Sequence, residues 1–212
     1  MLALAATQAI AAPLPHALRS CLRVGIVGAH GYLGRELVAQ ALDAGMTPLP
    51  FVRRMDPLRY PPTTGWLDPP RESILSDFED MPLYSTNATN LPPMDGIVFA
   101  MSGRPFEADT STSVVARFCS HLPPQCEKVC LVSAWGVGDS IESSNLGIRA
   151  MRSWYLKSAY AEKERQEEIV SNLSVPVLIL RPKVLSFSPI PFNPSSTPRR
   201  VLASEILNWI AE

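Results

Sequence analysis

Along the chain, short apolar runs alternate with stretches in which apolar residues return every three or four positions. The first run, "LRVGIVG", ends at Gly28 and reads as a strand. From residue 32 to 43 the positions Leu33, Leu37, Val38, Ala41 and Leu42 fall on one face of a helix, which Gly45 ends. "TPLPFVRR" is the second strand, weakened by Pro48 and Pro50, and "LYSTNATN" the third. "DGIVFAM" is the fourth, apolar enough to be covered on both faces. A helix over 106–121 leads to a fifth strand, "KVCLVSAWG". The longest helix, 148–173, precedes a sixth strand, "VPVLILRP", and an amphipathic helix over 201–211 closes the chain. Strands separated by helices in this order predict an α/β fold with a doubly wound parallel sheet.

Two Pro-rich stretches, 56–70 and 186–198, read as loops, because proline withholds the N–H that helix and strand need. Neither separates segments large enough to fold alone, so residues 23–212 are expected to form one domain behind an extension over 1–22. The first 23 residues are rich in alanine, hold two arginines and lack any acid. That composition suits an organellar transit peptide or a frayed extension, so the expected compartment is the cytoplasm, with organellar import as the alternative.

A net charge of −1 with scattered cations excludes the electrostatic footprint of a nucleic-acid or anionic-membrane binder. No apolar stretch is long enough to span a bilayer as a helix. Cys21, Cys119, Cys126 and Cys130 form no CxxC pair, which points to reduced packing thiols and no metal site.

The candidate chemistry lies in "VGIVGAHGYLGREL", residues 24–37. Gly28, Gly31 and Gly34 are spaced G-x-x-G-x-x-G between a strand and a helix, the setting of a dinucleotide turn. Glycine is needed there because the chain must turn tightly, approach a pyrophosphate and let helix pack on strand. Gly25, inside the strand, reads as a close-packing position. An NAD site places a carboxylate at the end of the second strand, about 20 residues beyond the turn. Here Arg53 and Arg54 stand in its place, which favours NADP, since a guanidinium grips a 2′-phosphate through paired hydrogen bonds.

With these features in place, "GAHGYLG", "FVRR", "LVSAWGVGDS" and "YAEKERQEEIV…VPVLILRP" together resemble the atypical short-chain dehydrogenase/reductase family, in particular its NmrA-like and NAD(P)H-binding members. The resemblance spans residues 23–182 and implies a Rossmann fold. It implies that Gly28, Gly31, Tyr32, Leu33 and Gly34 line the pyrophosphate and that Arg53 meets the 2′-phosphate. Ala88 would flank adenine, although the aspartate usual just before it is Asn87. Ala100, Met101 and Ser102 would border the adenosine ribose and the nicotinamide side, with Ser133 and Ala134 under the nicotinamide. Lys163 would bond the nicotinamide ribose, and Arg181-Pro182 matches the pair that closes the sixth strand.

The departure is catalytic. Reductases of this family use Tyr-x-x-x-Lys, whereas Tyr160 precedes Lys163 by three positions and Tyr155 by eight. Tyr160 is therefore either a proton donor sharing a helix face with Lys163 or a packing residue. Ser133 either orients a substrate carbonyl or caps a turn. The semialdehyde-type reductases, whose opening turn is similar, need a cysteine in a further domain, and sugar-nucleotide epimerases need Tyr-x-x-x-Lys and a larger substrate domain. The expected function is an NADPH-dependent oxidoreductase that transfers hydride to a small carbonyl, quinone or flavin substrate. The alternative is a non-catalytic NADP(H) sensor of NmrA-like type that engages a protein partner.

Overall fold

The computed structural model describes residues 22–55, 81–101, 110–141, 157–182, 184–186 and 196–212. Six strands form one parallel sheet: β1 (Arg23–Val27), β2 (Thr47–Val52), β3 (Tyr84–Ser85), β4 (Gly96–Phe99), β5 (Lys128–Val132) and β6 (Val177–Leu180). Their order across the sheet is β3-β2-β1-β4-β5-β6, so the winding reverses between β1 and β4. The helices are α1 (Tyr32–Asp43), α2 (Thr110–Ser120), α3 (Lys157–Ser171) and α4 (Arg199–Ala211), with a 3-10 turn at Gly138–Ile141. This is the doubly wound parallel Rossmann fold that the pattern of strands and helices predicts.

The sheet is covered on both faces. On one, Val24 and Ile26 pack with Leu37 and Val38 of α1 and Leu202 and Ile206 of α4. On the other, Val27, Phe51 and Phe99 pack with Val115 and Phe118 of α2 and Val170 of α3. Phe118 is fully buried and meets Phe51 edge-on at 4.9 Å and Phe99 at 6.0 Å between ring centroids. Gly25 is a packing position as expected: a Cβ there would lie 2.7 Å from Met94 Sδ and 3.3 Å from Ile97 Cγ1.

Pro48 and Pro50 survive within β2 because of the side on which they fall. Thr47 donates its N–H to Leu22, and the Phe51 carbonyl accepts from Gly28, so residues 47, 49 and 51 face β1. Residues 48, 50 and 52 face the opposite edge, where β3 pairs only with Phe51 and Val52. The two missing N–H groups therefore interrupt no ladder.

The structure shortens or extends several predicted elements. The third strand keeps only Tyr84 and Ser85, and the last helix begins at Arg199. The stretch 186–198, expected to be loop throughout, contributes its two ends to a small parallel pair, β7 (Val184–Ser186) with β8 (Ser196–Pro198). The first parts of the predicted helices at 106–121 and 148–173, the loop 56–70 and the segment 1–21 lie largely or wholly outside the described residues. Among the described residues Cys119, Cys126 and Cys130 are free thiols, and no group of His, Cys, Asp and Glu is placed to hold a metal. Burial pushes the Cys119 thiol up to about 12 and the Cys126 thiol to about 11, so both stay protonated and inert. No helix among the described residues is long and apolar enough to cross a membrane.

Because Phe118 joins two strands to α2, Phe118→Ala is expected to cost about 3–5 kcal/mol. Urea denaturation of the variant against the parent measures that loss.

Candidate functional site

Each of the three glycines meets a different constraint. Gly28 has φ +92°, in the left-handed region, and a Cβ there would come within 2.9 Å of the Ala100 carbonyl. Gly34 lies in the first turn of α1, where a Cβ would collide with the Gly28 carbonyl and stand 2.7 Å from Ala29 Cα. Gly31 is different: its φ of −68° and ψ of 159° suit any residue, and an added Cβ would be tight only against Gly28 O, at 3.2 Å. It is also the N-cap of α1, where Ser, Thr, Asp or Asn would normally satisfy a helix N–H. Gly31 supplies no side-chain cap to α1, and the first turn carries no acid. A helix start whose cap residue has no side chain suits an anion, with Gly31 letting it come close to the main chain.

The turn is anchored from both neighbouring strands. Gly28 and Ala29 donate their N–H groups to Phe51 O at 3.1 and 3.3 Å, and Ala100 donates to Val27 O at 2.9 Å. Val27 pairs with Phe51, so Arg53 and Arg54, both exposed, leave β2 beside the glycine turn. Beyond β3, Ala88 donates to Ser85 O at 3.0 Å. Arg117 of α2 fixes this loop by donating to Asn87 Oδ1 at 3.1 Å and to Thr86 O at 3.4 Å. The asparagine that replaces the usual aspartate thus has a definite partner. Ala100 and Met101 follow β4, and Ser133 and Ala134 follow β5, all at the carboxyl edge of the sheet where open α/β folds bind ligands. Ser102 lies outside the described residues.

Ser133 is 6 % exposed, and its Oγ meets no hydrogen-bond partner among the described residues. Its N–H is held by Leu180 O at 2.7 Å, so the hydroxyl is carried on a fixed main chain. Leaving a buried hydroxyl unsatisfied costs about 1–3 kcal/mol, which a ligand at the edge would recover.

Lys163 and Tyr160 behave otherwise. Lys163, 7 % exposed, donates to Met101 O at 2.7 Å, Val132 O at 2.9 Å and Gln166 Oε1 at 3.0 Å. An ammonium has three hydrogens, so the contact to a nicotinamide ribose implied by the family resemblance has no donor left in this geometry. Tyr160 Oη donates to Trp135 O at 3.0 Å. Both side chains, expected as catalytic candidates, therefore tie α3 to the main chain at the ends of β4 and β5.

Sequence reasoning missed the rest of this polar face of α3. Glu162 Oε1 accepts the N–H groups of Ser111 and Thr112, closing the start of α2 from another helix. Gln166 Nε2 donates to Ser111 Oγ at 2.8 Å. Glu167 holds Arg181 through two parallel bonds, at 3.0 and 2.7 Å, which keeps the Arg181 pKa above its ordinary value. The low hydropathy of "AEKERQEE" signals a charged helix, and nothing in the string distinguishes a solvated face from a buried one.

A parallel sheet of this order, with a glycine-capped helix start behind a three-glycine turn, defines a dinucleotide-binding Rossmann protein. Residues 28–199 match the family described as NAD(P)H-binding, and the chain belongs to that family. No curated protein sequence matches the chain. Solved structures of similar fold include an anaerobillin reductase from Escherichia coli O157:H7, 17% identical over 87% of this chain and 88% of that one, with a TM-score of 0.59. A short-chain dehydrogenase/reductase from Veillonella parvula is 14% identical over 88% and 85% of the two chains, TM-score 0.60. A proposed NADH-flavin reductase from Streptococcus pneumoniae is 10% identical over 89% and 92%, TM-score 0.62.

Burial holds the Lys163 pKa down at about 8, against the pull of Glu162 and Glu167. Between there and the ordinary lysine value of 10.5 the unfolded chain binds more protons than the folded one. The lysine's contribution to stability therefore rises with pH across that window. Lys163→Met is expected to cost at least about 1–3 kcal/mol through the acceptors it orphans. Its deficit against the parent should widen from pH 8 to pH 10 in paired urea titrations.

Proposed function

We propose that the protein is an NADP(H)-dependent oxidoreductase that reduces a small carbonyl, quinone or flavin substrate by hydride transfer. The observation that carries this reading is the unsatisfied Ser133 hydroxyl at the end of β5, on the same sheet edge as the glycine turn. The nicotinamide supplies a hydride when bound. The main-chain N–H groups of the first turn of α1, over Tyr32, Leu33 and Gly34, would hold the pyrophosphate, with Gly28 and Gly31 letting it approach the main chain. Arg53, with Arg54 beside it, would take the 2′-phosphate, and Ala88 would flank the adenine. Ala100, Met101 and Ala134 would border the ribose and nicotinamide. Ser133 Oγ would donate a hydrogen bond to the substrate oxygen that gains charge, a role that needs no tyrosine acid. Reductases among the proteins of similar fold, one named for anaerobillin and one proposed for flavin, support a redox acceptor as the substrate class.

One observation favours a second reading, a cofactor sensor that engages a protein partner. Tyr160 and Lys163, the residues nearest to the usual acid pair, both donate to main-chain carbonyls. NADPH oxidation measured with carbonyl, quinone and flavin acceptors separates the two. Turnover with any of them supports the reductase, and tight NADP(H) binding without turnover supports the sensor.

Arg53→Glu is expected to weaken NADPH binding by one to two orders of magnitude, about the worth of hydrogen bonds to a charged group, and to change NADH binding far less. Calorimetric titration with both cofactors checks this, and equal losses would remove the 2′-phosphate assignment.

A further inference from the structure

Arg199 and Arg200 open α4, and its cap residue Pro198 offers no side-chain hydrogen bond. Cations at the start of a helix face the positive end of its dipole, so this placement works against the helix itself. Local rules broken in this way concentrate where a ligand compensates.

The direction of α4 decides where that charge lies. A Cβ on Gly96 would stand 3.0 Å from Ile210, and Lys128 Nζ donates to Trp209 O at 2.8 Å. Gly96 and Lys128 are the first residues of β4 and β5, so α4 ends at the amino edge of the sheet. It therefore begins toward the carboxyl edge, the side of the glycine turn. Gln40, in the third turn of α1, donates to Arg200 O at 2.9 Å, which fixes the start of α4 beside that turn. From there the Arg199 guanidinium carbon reaches to 5.4 Å from the centre of the Tyr32 ring. Tyr32 is the first residue of α1, next to Gly31, and is 52% exposed.

We infer that Arg199 is a cofactor-binding residue, which neutralises the dinucleotide pyrophosphate from the α4 side with the Tyr32 ring as its platform. The inference rests on the nucleotide reading of the glycine turn. A pyrophosphate carries two negative charges, while a helix start offers only about half a positive one. Arg53 and Arg54 leave β2 on the far side of the turn and serve the 2′-phosphate in that reading. Arg199 supplies the missing charge. A guanidinium resting on a ring keeps its planar set of N–H donors together and partly desolvated, the form in which it pairs best with phosphate oxygens. Burial lowers the Arg199 pKa from its ordinary value, yet an arginine so placed stays charged at neutral pH.

Calorimetry with NADP+ and with 2′-AMP, which has the 2′-phosphate but no pyrophosphate, tests the assignment on Arg199→Met and Arg199→Lys. Arg199→Met is expected to weaken NADP+ by about tenfold or more, the effect of losing charge-assisted bonds, and to leave 2′-AMP within about twofold. Arg199→Lys should recover part of the NADP+ affinity and none of the bidentate geometry. NADP+ affinity unchanged in Arg199→Met, or 2′-AMP weakened as much as NADP+, overturns the assignment while leaving nucleotide binding intact. A parent protein that binds neither ligand overturns both. Arg199→Lys, which keeps the charge and the aliphatic stem, serves as the folded reference, and melting temperatures of the unliganded variants confirm that each is native.

Discussion

The close approach of α1 to the turn before it is the constraint on which the rest of the site depends. Because Gly34 has no Cβ, the first turn of α1 lies directly over the Gly28 carbonyl. Gly28 in turn is pressed toward the Ala100 carbonyl and adopts a left-handed conformation that other residues rarely reach. Two contacts thus set the helix start relative to the ends of both β1 and β4. A methyl group at residue 34 would lift α1, and α1 packs on α4 through Leu37, Val38, Leu202 and Ile206. The displacement would reach Tyr32 and Arg199 as well as the turn.

A second framework holds the other half of the carboxyl edge. Helix α3 turns a polar side inward, with Glu162, Lys163, Gln166 and Glu167 all buried. Burying such groups is unfavourable unless each is bonded, and here they form continuous networks. The Glu162 carboxylate lies at the positive end of α2, and Lys163 bridges the ends of β4 and β5. Ser133 follows directly on the Val132 carbonyl that the ammonium holds. Positioning of that hydroxyl therefore depends on the buried charges of α3.

The sheet was legible in the sequence because a strand covered on both faces must be almost wholly apolar, as "DGIVFAM" and "KVCLVSAWG" are. Gly28, Gly31 and Gly34 were legible because their spacing and their place between strand and helix are set by main-chain geometry. The pair β7 and β8 was not, since strands of three residues carry too little alternation to stand out from a Pro-rich stretch. The partners of Lys163 and Tyr160 were hidden for another reason. Both donate to main-chain carbonyls, which every residue possesses, so no side chain marks the acceptor. Arg199 and Tyr32 meet only because two helices far apart in sequence share one face of the sheet.

The prolines of β2 bear on the molecule's behaviour among its own copies. Parallel pairing leaves β3 against only the last two residues of β2, so the earlier part of that edge has no ladder partner in β3. A strand edge that presents alternating donors and acceptors is a template on which another chain can assemble. Pro48 and Pro50 strip the donors from that stretch and leave carbonyls alone. The prolines that weaken the sequence signal for β2 thus leave that buried stretch of the edge without donors for a further strand.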